Sequence, residues 1–178
     1  MERSLHEVLE ALSSLARTGW MLRGVPSVIA ESVAEHSFWA AVLAFEISVR
    51  ARSRGVQVDP YRAAAIALFH DIGESVIGDI PKVAGISRSE KAAAERRAVN
   101  SLPISREAKA LQEEFEDEKS VEAVIARISE SLATYLKALS YERSGYRVEE
   151  IRENMEEIVK RLAGQLGITD IINDIIKS

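Results

Sequence analysis

Apolar side chains recur every three or four positions along nearly the whole chain, the spacing that places them on one face of an α-helix. Leu5, Val8, Leu9, Leu12 and Leu15 form the first such stripe and predict an amphipathic helix over about 3–16. It ends before Arg17-Thr18-Gly19-Trp20, and Gly24 and Pro26 mark a loop. Ser32-Val33-Ala34-Glu35 has the form of a capping box, in which serine and glutamate satisfy each other's free backbone amides. It opens a helix to about 54 that is apolar on several sides (Val33, Phe38, Trp39, Val42, Leu43, Phe45, Ile47) and so predicted to be central; Gly55 stops it.

Asp59-Pro60 supplies an N-cap and a first-turn proline for a helix ending near Asp71. Gly73, Gly78 and Pro81 make the next segment short and turn-rich. A second capping box, Ser87-Arg88-Ser89-Glu90, opens a helix that Pro103 breaks. Further helices are predicted after Ser105, over about 119–143 and 148–163, and from Thr169 through Ile176. No strand pattern, repeat or linker competes. The predicted fold class is all-α, in one domain over 1–178, with a core over about 5–145.

Two faces carry more than their element. In the 119–143 helix the main stripe is Val121, Val124, Ile125, Ile128, Leu132, Tyr135 and Leu139, while Glu130 lies opposite among Ala123, Ala126, Ala133 and Lys137. Small residues around one carboxylate suit close packing at a site; a plain surface glutamate is the alternative. Ile151, Met155, Ile158, Val159 and Leu162 give the 148–163 helix an apolar face that either completes the core or forms a dimer interface.

Composition narrows the function. The 178 residues carry a net charge of −5 with no basic block, which argues against general nucleic-acid binding. With no cysteine there is neither a disulfide nor a thiolate metal site. The stretch Met1 to His6 lacks a signal-peptide core and no apolar run reaches membrane-spanning length, so the expected setting is the cytoplasm, away from membranes.

Phe69-His70-Asp71-Ile72-Gly73-Glu74-Ser75-Val76-Ile77-Gly78-Asp79-Ile80-Pro81 concentrates the chemistry. No basic side chain lies between Arg62 and Lys82, yet this apolar stretch holds three carboxylates. Burying carboxylates without compensating charge is costly, and an anion such as Asp71 near a helix C-terminus also opposes the macrodipole. A bound divalent cation removes both problems. His36, on the central helix beside Ala40, Leu43 and Ile47, supplies a second imidazole. Two histidines and an aspartate suit a first-row divalent metal; in isolation each histidine reads more readily as a hydrogen-bonded core residue.

The wider pattern resembles a known family. Glu31-Ser32-Val33-Ala34-Glu35-His36-Ser37, then Ala67-Leu68-Phe69-His70-Asp71-Ile72-Gly73-Glu74, then Gly78-Asp79-Ile80-Pro81 is similar to the HD-domain phosphohydrolases, within them the 5′-deoxynucleotidases. Arg17-Thr18-Gly19-Trp20 and Tyr135-Leu136-Lys137-Ala138-Leu139 match the same group. The resemblance implies a helical bundle around a single-metal site holding one divalent ion, with Mn, Co, Mg, Ni, Zn and Fe not distinguished. It implies His36, His70 and Asp71 as ligands, Glu74 as the acid–base group, Asp79 as an acid at the rim, Arg17 on the phosphate and Trp20 along the sugar pocket. Arg23 adds charge at the same mouth by its proximity in sequence. Aligning on Tyr135-Leu136-Lys137 puts Glu130 where the family has its last ligand, an aspartate. Glutamate there ligates directly, contacts through water, alters metal preference or marks lost activity.

The implied reaction is hydrolysis of a nucleoside 5′-monophosphate, in a homodimer whose partner is a small nucleotide. Alternatives are an HD hydrolase of a nucleoside triphosphate or cyclic phosphodiester, and a silent metal-binding helical protein. His6 and the acidic run Glu113-Glu114-Phe115-Glu116-Asp117-Glu118 are expected to be solvated.

Overall fold

The computed structural model describes residues 3–81, 85 and 87–177. Among the described residues ten helices follow one another: α1 Leu5–Ser14, α2 Thr18–Met21, α3 Val33–Arg52, α4 Pro60–Phe69, α5 Glu74–Ile77, α6 Arg88–Ser101, α7 Arg106–Asp117, α8 Val121–Arg143, α9 Glu149–Leu166 and α10 Thr169–Lys177. Among the described residues no strand forms, and Ala16 and Ser32 make an isolated antiparallel bridge. The all-α prediction holds.

Most helix starts obey the local code. Ser4, Ser32 and Ser87 each close a capping box with the glutamate three residues on, and Asp59 caps α4 over its first-turn proline. The stretch Thr18–Met21, for which the sequence pattern predicts no helix, is a short helix without a side-chain cap from Arg17. Tertiary contacts hold it: the Thr18 amide donates to the Asp79 carboxylate and the Thr18 hydroxyl to the Asp79 carbonyl at 3.0 Å.

Helices α3, α4 and α8 pack together at the centre, with α9 against α8 and α10 against α9 and α3. Alanines let the axes approach: Ala40, Ala44 and Ala51 of α3 meet Ala63 and Ala67 of α4, with Ile47, Ile66, Ile128 and Leu132 filling the gaps. Thus α3 is central, but by its small residues. Phe38 is 63% exposed, and Val42 and Val49 continue that apolar face into solvent. On α8 the small-residue face is buried, with Ala123, Ala126 and Ala133 inaccessible, as the close-packing reading requires. The C-terminal helices complete the core through Val159, Leu162, Ile171 and Ile172.

Two smaller clusters flank this core. Val8, Leu12, Val33, Ile72, Val99 and Leu102 form one; Trp20, Val25, Ala30, Ala138, Tyr141 and Val148 form the other. Gly73 lets α6 approach the turn after α4, since a Cβ there would lie 3.1 Å from a Val99 methyl and 3.4 Å from the Glu95 carbonyl. Gly78 ends α5 at φ +78°, which side-chain-bearing residues rarely adopt.

Candidate active site

A cavity of about 280 Å³ opens beside the Trp20 cluster, near the lower end of the range for small-ligand pockets. His70, Asp71, Glu74, Asp79, Glu130, Arg17 and Trp20 line it. One ligand atom from each of His36, His70 and Asp71 lies within 4.8 Å of the others. His36 comes from the first turns of α3, and His70 caps the C-terminus of α4 with Asp71 just beyond.

The two histidines are held differently. His70 Nδ1 lies 2.7 Å from the Ala67 carbonyl, so it donates, leaving Nε2 facing Asp71 Oδ2 at 3.0 Å. Burial disfavours its charged form, but Asp71, with help from Glu130, outweighs burial and raises its pKa. Burial also disfavours ionised Asp71, and His70, His36 and Arg17 outweigh it, holding that carboxyl well below the usual range. His36 is fully buried, and burial together with Arg17 and His70 keeps it neutral. Its Nε2 is buried without a hydrogen-bond partner.

This donor set fits a divalent cation. Two imidazoles and an ionised carboxylate converge, one imidazole presents an orphaned nitrogen, and His70 is fixed from behind in the tautomer a ligand needs. Glu130 is not in that group. It lines the same cavity, but its Oε1 sits 3.4 Å from Arg127 and accepts from the Ser131 hydroxyl at 3.1 Å.

Glu74 opens α5 and is 4% exposed, with Oε2 buried and unpartnered. Burial, then Asp71 and Asp79, push its carboxyl up to about 10, against the weaker pull of Arg17 and Lys91. That is the partly buried, acid-rich setting expected of it. Asp79 caps α2 through Thr18 while facing the cavity, so it serves structure as well as the rim.

Arg17 donates to His36 Nδ1 at 2.9 Å, to the Thr134 hydroxyl at 3.0 Å and to Glu31 at 3.3 Å. Burial disfavours its charge, and Glu31 and the cavity carboxylates more than restore it. Trp20 is both core and lining: its indole packs edge-on to Tyr141, and its N–H donates to Glu31 at 2.9 Å. Arg23 reaches the mouth and pairs with Glu150.

Sequence reasoning missed several residues. Lys91 on α6 and Ile151, Asn154 and Met155 on α9 line the cavity. Arg127 lines it too, lying 3.8 Å over the Phe115 ring and paired with Glu116 and Glu118. The acidic run is therefore not merely solvated; two of its carboxylates hold a cavity arginine. Arginine at 127, three residues before Glu130, was the available signal.

Residues 9–168 match the family model described as HD domain. The chain belongs to the HD domain family. It is similar to 5′-deoxynucleotidase HDDC2 of Dictyostelium discoideum, 30% identical over 78% of this chain and 76% of that one. The human HDDC2 5′-deoxynucleotidase is also 30% identical, over 79% of this HD domain chain and 69% of its own. Among solved structures, a conserved hypothetical protein from Pyrococcus furiosus superposes with a TM-score of 0.83 at 28% identity, covering 98% of this chain and all of that one.

Proposed function

We propose that this HD domain protein is a metal-dependent 5′-deoxynucleotidase that hydrolyses deoxynucleoside 5′-monophosphates to nucleoside and phosphate. The observation that carries this reading is the convergence of His36, His70 and Asp71 at the wall of a cavity that also holds a protonatable Glu74 and the Arg17 guanidinium. The relatives named 5′-deoxynucleotidase supply the reaction class.

His36, His70 and Asp71 would hold the ion, with Glu130 in the same cavity as a further carboxylate. When bound, a divalent ion supplies charge that eases deprotonation of water and screens the phosphate. Glu74 takes the proton from the attacking water and returns it to the leaving 5′-oxygen as the P–O bond breaks. Arg17 grips phosphate oxygens through its planar fork. Asp79 shapes the rim and Trp20 borders the sugar.

Charge supports the monophosphate over the triphosphate. Arg17, Arg23, Lys91 and Arg127 line the cavity against Asp71, Glu74, Asp79, Glu130 and Glu150. With Glu74 ionised, as a base must be, the four cations face five carboxylates and the lining is left one charge negative. A divalent ion more than offsets that charge, and a phosphomonoester dianion returns it to one negative. A triphosphate brings surplus negative charge, and every one of those cations is already paired with a carboxylate.

The working form we propose is a cytoplasmic homodimer. An exposed apolar face on α3, formed by Phe38, Val42 and Val49, supports the dimer. Among the described residues no helix is long and apolar enough to cross a membrane.

The test is phosphate release from a panel of nucleoside mono- and triphosphates with Mn²⁺, Co²⁺ or Mg²⁺. Release from deoxynucleoside 5′-monophosphates is the expected outcome. No release from any monophosphate with any metal overturns the reading.

A further inference from the structure

The geometry around His36 contains a conflict that the mechanism above does not use. Arg17 donates to His36 Nδ1 at 2.9 Å, so Nδ1 is an acceptor and the neutral ring carries its proton on Nε2. Nε2 is the atom that faces Asp71, 4.0 Å from Oδ2. It can ligate a cation only if the ring proton moves to Nδ1. An Nδ1–H and a guanidinium N–H are both donors, so the present pairing cannot survive ligation.

The nearby acceptor is Glu31. Its Oε1 lies 4.0 Å from Nδ1 and already accepts from Trp20 and Arg17. Its Oε2 is buried without a hydrogen-bond partner, 3.9 Å from Lys137. The Glu31 backbone is held from both sides: its amide donates to the Tyr141 hydroxyl at 2.8 Å, and its carbonyl accepts from the Arg17 amide at 3.0 Å. Glu31 is a preorganised acceptor with spare capacity, beside the buried His36, whose rear nitrogen has no fixed acceptor. His70 shows the contrast, with its Nδ1–H already committed to Ala67.

We infer that Glu31 and Arg17 form a relay behind His36 that links cation binding to release of the phosphate-gripping arginine. When a divalent cation takes Nε2, the proton there leaves to water and one from water adds at Nδ1. The ring stays neutral throughout. Glu31 accepts the Nδ1–H bond, and Arg17 gives up the ring and turns its guanidinium toward the cavity. Glu31 is thus a positioning residue, and Arg17 competes with the cation until substrate takes it. The relay rests on the reading of His36, His70 and Asp71 as a cation site.

The direct test is long-range ¹H–¹⁵N spectroscopy of histidine-labelled wild-type protein with and without Zn²⁺, with exposed His6 as the internal reference. His36 is expected to change from the Nε2–H to the Nδ1–H tautomer while His70 keeps Nδ1–H. Calorimetric Zn²⁺ titration of variants that retain the wild-type circular dichroism adds a sign test. Arg17→Met should bind the ion about fivefold more tightly, the worth of one competing hydrogen bond. Glu31→Gln should bind it about 10–100-fold more weakly, as loss of a carboxylate behind a ligating histidine does. Ion binding without a change of tautomer at His36, or both variants shifting affinity in one direction, overturns the relay but leaves the cation site standing. A wild-type protein that takes up none of Zn²⁺, Mn²⁺, Co²⁺ or Mg²⁺ overturns the site itself.

Discussion

The interior between α3, α4 and α8 and the cavity at its edge are built from the same helices by opposite rules. In the interior, alanines and branched aliphatics fill most of the space, and the buried polar groups are few and small: Ser129 donates to the Ile125 carbonyl, and Ser48 has a hydroxyl without a partner. At the cavity, Glu31, His36 and Glu74 each keep a buried polar atom unpaired. The first arrangement supplies stability; the second spends it once, on groups that wait for ligands. Substitutions in the two regions should therefore separate stability from activity.

The largest effect is expected at His70. His70→Ala should abolish both ion binding and phosphate release, read by metal analysis and by assay of the same sample. Glu74→Gln should keep the ion and lose about 10²–10⁴-fold in kcat, the usual range for a general acid–base group. An ion-free Glu74→Gln protein should also be more stable than wild type. Folding favours the protonated Glu74 carboxyl, so its contribution is full below the ordinary value of 4.5 and is lost as pH rises toward about 10. Chelated wild type should thus fall progressively further behind the variant as pH rises from about 5 to about 8, measured by denaturant melts. A variant that is less stable at pH 8 contradicts the burial argument.

In the interior the order reverses. Ile128→Ala should cost about 2–5 kcal/mol of stability while kcat per folded molecule stays near wild type. Loss of kcat without loss of stability there would erase the distinction between the regions. The smallest effect is expected at Leu9, half-exposed on α1, where Leu9→Ser should shift stability by about 0.5 kcal/mol or less.

Much of this was legible in the sequence because it is local. Capping boxes at Ser32 and Ser87 and the Asp59-Pro60 pair mark helix starts whatever the tertiary packing, and His70-Asp71 joins two ligands by covalent geometry. What escaped depends on chain reversal. Helix α2 has Gly19 inside it and no capping side chain, and it exists because Asp79, distant in sequence, binds its first turn. Arg127 meets Glu118 because that residue ends α7 in the left-handed conformation, φ 49°, and turns the chain back along α8. No periodicity announces such a reversal. Met155 and Asn154 face the cavity by the placement of α9 alone.

The lone bridge between Ala16 and Ser32 has a use in engineering. Its hydrogen bonds, Arg17 amide to Glu31 carbonyl at 3.0 Å and Val33 amide to Leu15 carbonyl at 2.9 Å, tie the base of the 22–30 loop. Beyond that knot the loop reaches solvent, with Val28 and Ile29 exposed, while Arg17, Glu31 and His36 are all anchored inside it. Leu22 and Arg23 at the start of that loop line the cavity, so exchanges there alter its entrance while the bridge keeps the frame in register, and entrance and chemistry can be redesigned separately.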